Sequence, residues 1–408
     1  MKRILTAFLA VCLLLSLSAC GKKEPPVPET PPAEVPMEEV QPPVEVLPPT
    51  PEELAEAAIQ ARLNSMTLEE KVGQLFFVRC PGANQAKLVS QYHLGGYLLF
   101  GRDFKDSEGN WLTADQLQSN IESYQTAGKI PLLIGVDEEG GTVARATRNP
   151  NLSPAKRQSP QQVFAAGGMN GIRQDACDVS NLLLENSINV NFAPVADVSV
   201  NPEDFIYDRT LGQDAETTAI YITYALQGAN NSAVFHTDEV RPRQIGSVLK
   251  HFPGYGSNVD THTGIAIDQR PYEQFVTEDF LPFRAGIEAG AGSVLVSHNI
   301  VTSMDDSLPA SLSPEVHKVL REELGFEGVI LTDDLAMDAV EAYAENGSVA
   351  VLAVLAGNDM IVTTDFETQI PLVIAAVQDG TISEDIINTA VSRVLAWKYD
   401  LGLVGNKP

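Results

Sequence analysis

Pro131-Leu132-Leu133-Ile134-Gly135-Val136-Asp137-Glu138-Glu139-Gly140-Gly141 runs without a charge from 131 to 136, then meets three acids and two glycines. A short continuous apolar run of this kind suits a strand buried on both faces of a parallel sheet. The same pattern recurs along the chain, at Leu75–Arg79, Gly96–Phe100, Val190–Asp197, Gly246–Phe252, Ser293–His298, Gly328–Asp333 and Asp359–Thr363. Longer segments with helical spacing lie between these runs. One is Asp175–Leu184. Another is Ser383–Leu401, where Ile386, Ile387, Ala390, Val391, Val394 and Leu395 line one face, Ser383 suits an N-cap and Gly402 suits the end. Eight strands alternating with helices over about 350 residues predict an α/β protein, a TIM-like (β/α)8 barrel. A doubly wound open sheet competes, but no Gly-x-Gly-x-x-Gly opens a helix after the first strand.

Barrel chemistry sits where the strands end at their C-terminal edge. Four of the runs end in polar residues: Asp137-Glu138-Glu139, Lys250-His251, Ser297-His298-Asn299, and Thr332-Asp333-Asp334. One such end alone reads as a capped strand. Four converging on one barrel face predict a pocket of carboxylates and cations.

The 408 residues are 44% hydrophobic and 20% charged, which excludes a chain disordered throughout. Acidic residues outnumber basic ones 54 to 27, for a net charge of -27. That balance argues against a nucleic-acid partner and against electrostatic docking to anionic lipid. No Cys/His cluster has zinc-ligand spacing, and neither a metal nor another cofactor is expected. Cys80 and Cys177 allow one disulfide at most, and the sequence leaves their pairing open.

Residues 1–19 read as an export signal, with Lys2 and Arg3 before the apolar run Ile4–Leu17, which is too short to span a bilayer. Its end, Leu17-Ser18-Ala19-Cys20, resembles the lipobox of bacterial lipoproteins, which implies lipidation of Cys20 and an extracytoplasmic, membrane-anchored protein. Residues 20–51 form a linker; 11 of the 26 prolines fall between 21 and 51, interspersed with Glu. Such a chain favours extended polyproline II, reaching on the order of 90 Å. Residues 52–408 make up the folded domain.

Lys250-His251-Phe252-Pro253-Gly254, followed by Asp260-Thr261-His262, resembles the signature of family 3 glycoside hydrolases, in particular the single-domain β-N-acetylglucosaminidase branch. Gly135–Gly141, Phe192–Asp197, Tyr207-Asp208-Arg209, Thr332–Met337 and the closing Arg393–Leu403 match in family order. The resemblance spans about 53–405. It implies retaining exo-hydrolysis of terminal β-linked N-acetylglucosamine, with peptidoglycan fragments as the expected source. Asp333 matches the nucleophile, and Asp334 is expected to be structural. His262 matches the acid/base and Asp260 its orienting partner; an imidazole titrating near ~6.5 can give and take a proton at neutral pH. Asp137, Arg145, Arg209, Lys250 and His251 match sugar-binding positions; His298 matches a strand-end histidine lining the pocket, with a satisfied core histidine as its other reading, and Met337 is expected near the site or in the core. Gly254–Gly264 is rich in small polar residues, as a moving loop would be. The chain departs from the family at Thr142, commonly Arg, and at Tyr255, often His. The stretch 229–245 is also longer than usual.

Two alternatives stand beside this reading. A histidine acid/base repels phosphate less than a carboxylate would, so a phosphorylase on the same scaffold is conceivable. A non-catalytic cell-wall-binding lipoprotein would lack Asp333 or His262, and both residues are present.

Overall fold

The structure is a computed structural model describing residues 50–232, 243–260, 264–341, 343 and 348–405. Ten strands are present among them: β1 (Phe76–Arg79), β2 (Gly96–Leu99), β3 (Leu133–Val136), β4 (Val190–Asn191), β5 (Gly246–Phe252), β6 (Ile267–Asp268), β7 (Ser293–Val296), β8 (Ile300–Val301), β9 (Val329–Thr332) and β10 (Ile361–Thr363). Eight of them form one sheet in the order β10-β1-β2-β3-β4-β5-β7-β9. Every pairing in it is parallel. A bridge between Leu331 and Met360 joins β9 to β10 and completes the ring. The barrel expected from the eight apolar runs is therefore the fold, and each run carries one of its strands. The remaining strands, β6 and β8, pair as a two-residue ribbon that no periodicity could announce.

The strands are buried on both sides, for two different reasons. Phe76 and Val78 pack outward among the helices, whereas Phe77 turns into the barrel with Leu98, Leu133, Phe192, Val248 and Leu331. The Phe77 and Phe192 rings meet edge to face at 5.2 Å inside. This contact explains a glycine in the middle of β3, because a Cβ on Gly135 would stand 2.7 Å from both rings.

Helices fill the outer layer. Asp175–Leu184 lies within Pro160–Glu185, whose start is fixed by a Ser159–Gln162 capping box. The final helix, Glu384–Asp400, is capped as expected by Ser383, which accepts from the Ile386 N–H. Ile386 itself is 36% exposed and sits at the edge of the buried face. A helix at Pro51–Asn64 begins with a Thr50–Glu53 capping box.

Lys398, fully buried on the final helix, donates to Gln74 Oε1 at 2.6 Å. Burial pulls its ammonium down to about 7. The unfolded chain therefore holds more protons between about pH 7 and pH 10.5, and this residue makes stability rise with pH across that window. Lys398→Met is expected to raise the melting temperature most below pH 7, with the gain shrinking towards pH 10. Melting curves of both proteins at pH 6 and pH 9.5 check the sign; a gain that grows with pH would contradict it.

Candidate active site

The C-terminal ends of β3 and β5 are joined by a dense charge cluster. Lys250 Nζ lies 2.6 Å from Asp137 Oδ1 and 2.6 Å from Glu139 Oε1. Arg209, from the turn Tyr207–Arg209, grips Glu139 with two parallel bonds, Nε to Oε2 at 2.9 Å and Nη2 to Oε1 at 2.8 Å. Lys250 and Glu139 are nearly closed to solvent, whereas the side chains of Asp137 and Arg209 keep 18% and 16% exposure. Asp137 is thus the member of the cluster whose carboxylate can still accept from a ligand. Burial alone would push the Glu139 carboxyl up, but Arg209 and Lys250 hold it well below the usual range. The Lys250 ammonium is likewise disfavoured by burial, yet Asp137 and Glu139 raise its affinity for the proton.

Glu139 is the hub of this cluster. The sequence singles out its neighbours, and its own signal is only that it is the third acid in a row after a buried strand. Glu139→Gln leaves two cations short of a buried partner, which costs about 3–5 kcal/mol. The expected result is a lower denaturation midpoint with an unchanged slope; an unchanged midpoint would show that the cluster carries no such weight.

His251 sits beside Lys250 on β5 and reaches the same cluster; the Lys250–His251 and Phe252–Pro253 bonds are cis. Its Nε2 faces Arg209 Nη2 at 3.1 Å, and a guanidinium only donates. The ring proton therefore sits on Nδ1, 2.7 Å from Asp197 Oδ2. Asp197 also accepts from the His251 and Tyr255 backbone N–H groups, at 3.0 and 2.7 Å. This buried carboxylate pins the end of β5, a role the sequence motif contained without revealing. Tyr255 packs edge-on to His251, with ring centroids 5.3 Å apart.

Glu138 points away from this chemistry. It is fully buried and accepts from the N–H groups of Arg145 and Ala146, both at 2.7 Å, and from Thr147 Oγ1 at 2.5 Å. It shapes the turn that carries Arg145, whose guanidinium is half-buried and donates to the Ala144 carbonyl at 3.3 Å.

At β9, Asp333 Oδ1 accepts from the Asp334 N–H at 2.8 Å. Asp334 turns aside and accepts from the Ala336 N–H at 3.0 Å, as a structural cap does. Burial raises the Asp334 carboxyl above its ordinary range despite the Ala336 bond, and the charge of Asp333 adds to the shift. Met337 is buried just beyond. His298 has the surroundings of the second of its two readings, a core histidine. It is fully closed to solvent, with Nε2 3.0 Å from the Asp334 carbonyl and Nδ1 2.7 Å from Ser311 Oγ. Both nitrogens face protein atoms, as in a satisfied core histidine, and His298 holds the Asp333–Asp334 turn.

The loop after β5 is anchored at its base. Arg270 donates to the Gly254 carbonyl at 3.2 Å and pairs with Asp268 and Asp279, at 2.8 Å each. Gly254 has φ 125°, and a Cβ there would stand 2.2 Å from Asp279 Oδ1, so only glycine passes. Asp260 is half-buried. His262 lies outside the described residues, as do Cys20 and the segment 1–49 of the expected signal and linker. Residues 233–242 of the long stretch before β5 are outside them too. Cys80 and Cys177 are both free thiols.

Around the ring of eight strands, β3 stands opposite β9 and β1 opposite β5. The mouth thus sets Asp137 across from Asp333, with the Lys250–Glu139–Arg209 cluster to one side. A carboxylate thus stands at one wall and a cluster of charged hydrogen-bonding groups at the other. Residues 67–397 match the family model described as the glycosyl hydrolase family 3 N terminal domain, and the chain belongs to that family. It is a glycoside hydrolase. The beta-hexosaminidase of Vibrio cholerae is 30% identical over 283 residues, covering 68% of this chain and 78% of that protein. Beta-hexosaminidase LpqI of Mycobacterium tuberculosis is 30% identical over 363 residues, 86% of this chain and 87% of that one. Among solved structures, a family 3 beta-N-acetylglucosaminidase from Paenibacillus superposes with a TM-score of 0.74 at 30% identity, covering 84% of this chain and 64% of that one.

Proposed function

We propose that the protein removes terminal β-linked N-acetylglucosamine with retention, through a glycosyl-Asp333 intermediate, with His262 as acid/base oriented by Asp260. The observation that carries this reading is the placement of Asp333 across the mouth from the Asp137–Lys250–Glu139–Arg209 cluster. The names of the V. cholerae, M. tuberculosis and Paenibacillus relatives support the choice of sugar.

The mechanism follows from the residues. Asp137, with its exposed edge, accepts hydroxyl hydrogens of the sugar and sets its depth. Lys250 and Arg209 hold Asp137 and Glu139 in place. His251, whose Nε2 accepts from Arg209, steadies that guanidinium beside them. Asp333 attacks the anomeric carbon while the acid/base protonates the leaving oxygen; the same group then takes a proton from the water that releases the sugar. Peptidoglycan fragments are the natural substrates in this reading, and the Cys20 lipid anchors the enzyme outside the cytoplasm. Membrane fractionation of the wild type and Cys20→Ala tests the anchor, which predicts release of the variant into the soluble fraction.

Turnover of 4-nitrophenyl β-N-acetylglucosaminide in phosphate-free buffer tests the activity. Free N-acetylglucosamine is the expected product. A sugar 1-phosphate appearing only with added phosphate would make the protein a phosphorylase, and no turnover under either condition would overturn the assignment.

A further inference from the structure

Arg79 ends β1 on the barrel's inner side, two residues beyond the inward-facing Phe77 and in register with the inward-facing Leu98. It therefore belongs to the wall of the mouth. The family resemblance assigns it nothing. Its guanidinium lies 4.1 Å over the centre of the Phe100 ring, which fixes the plane without using an N–H. Its Nε is buried without a hydrogen-bond partner among the described residues. A buried arginine donor left unmade is costly, and a site that waits for a ligand oxygen is a physical reason to keep one. The charge reaches the mouth, since Arg79 acts on the Asp334 carboxyl beside the nucleophile.

The strand order indicates which part of the sugar Arg79 would meet. A pyranose with its anomeric carbon at Asp333 and C4 at Asp137 spans the barrel from β9 to β3. Its two long edges then face β5 and β1, the other diameter. The β5 side holds Lys250, His251 and Arg209, which the family resemblance matches to the hydroxyl and N-acetyl side of the ring, so it receives the C2–C3 edge. The β1 side receives the C5–C6 edge.

Resting on the proposed glycosidase function, we infer that Arg79 is a substrate-contacting residue that donates a hydrogen bond to the oxygen on C6 of the terminal N-acetylglucosamine. The contact selects sugars that carry an oxygen at that position.

The test compares 4-nitrophenyl β-N-acetylglucosaminide with its 6-deoxy analogue on wild type, Arg79→Met and Arg79→Lys. Methionine keeps much of the stem that packs on Phe100. Wild type should lose about 10–100-fold in kcat/KM on the 6-deoxy sugar, the worth of one charged hydrogen bond. Arg79→Met should lose a similar factor on the parent sugar and no more than about 3-fold further on the analogue. Arg79→Lys should fall between. Equal losses on both sugars in Arg79→Met would place its action elsewhere and overturn the contact. A wild type that does not distinguish the two sugars would overturn it too, whether or not the variants fold. Failure of wild type to cleave the parent sugar would instead remove the function on which the inference rests.

Discussion

Asp333→Ala is expected to lower kcat by about 10⁴–10⁶-fold, the scale on which a covalent nucleophile is lost, while Asp334→Ala keeps measurable turnover. The two acids are adjacent in sequence but differ in surroundings. Asp334 is spent on the Ala336 N–H, and burial raises its carboxyl, which favours the neutral form. It also lies against His298, which holds its carbonyl. Removing Asp334 loosens the turn that aims Asp333, and a misplacement near 1 Å costs on the order of 10²-fold. Steady-state rates of the two variants on an aryl N-acetylglucosaminide separate the roles. Equal losses would mean that the acids act as a pair.

His262→Ala is expected to lose about 10²–10⁴-fold in kcat, the usual worth of general acid–base catalysis. The two steps should respond differently. A nitrophenolate leaves almost without protonation, so the first step survives and glycosyl-enzyme accumulates. The second step needs a base to activate water, and it stalls. Azide attacks without a base and should restore turnover, giving a glycosyl azide. Asp260→Ala should show a milder form of this behaviour, since only the orientation of the ring is lost. The wild-type rate should carry a limb in the histidine range that the His262→Ala profile lacks. An unchanged profile and rate would exclude His262 and send the search to another carboxyl at the mouth. That search would not include Glu138, whose oxygens are used by the Arg145–Thr147 turn.

The barrel was readable because each strand is buried on both faces, so Leu133–Val136 and Val329–Thr332 stand out as unbroken apolar runs. The last helix was readable because Ser383 and Gly402 punctuate it. Strands β6 and β8 were not, since two residues hold no period. Within the site, Asp137 was legible as the first polar residue after β3, and Lys250 as the first charged residue within the run of β5. Glu139, Asp197 and Arg79 were not. Glu139 and Asp197 act by holding other side chains across the barrel, and such partners are set by strand order. Arg79 looks from sequence like the ordinary charged end of a strand. The register with Leu98 is what turns it inward. His298 shows the converse: its strand-end position allowed a pocket-lining or a core histidine, and Ser311 and the Asp334 carbonyl claim both of its nitrogens.

The central claim is that a sugar becomes covalently attached to Asp333. A fluorinated N-acetylglucosamine that forms the glycosyl-enzyme but releases it slowly tests this directly. After inactivation, proteolysis and mass spectrometry should place one sugar on the peptide holding Thr332-Asp333-Asp334, with fragmentation assigning it to Asp333. A sugar on Asp334, on Asp137, or on no residue despite inactivation would contradict the account.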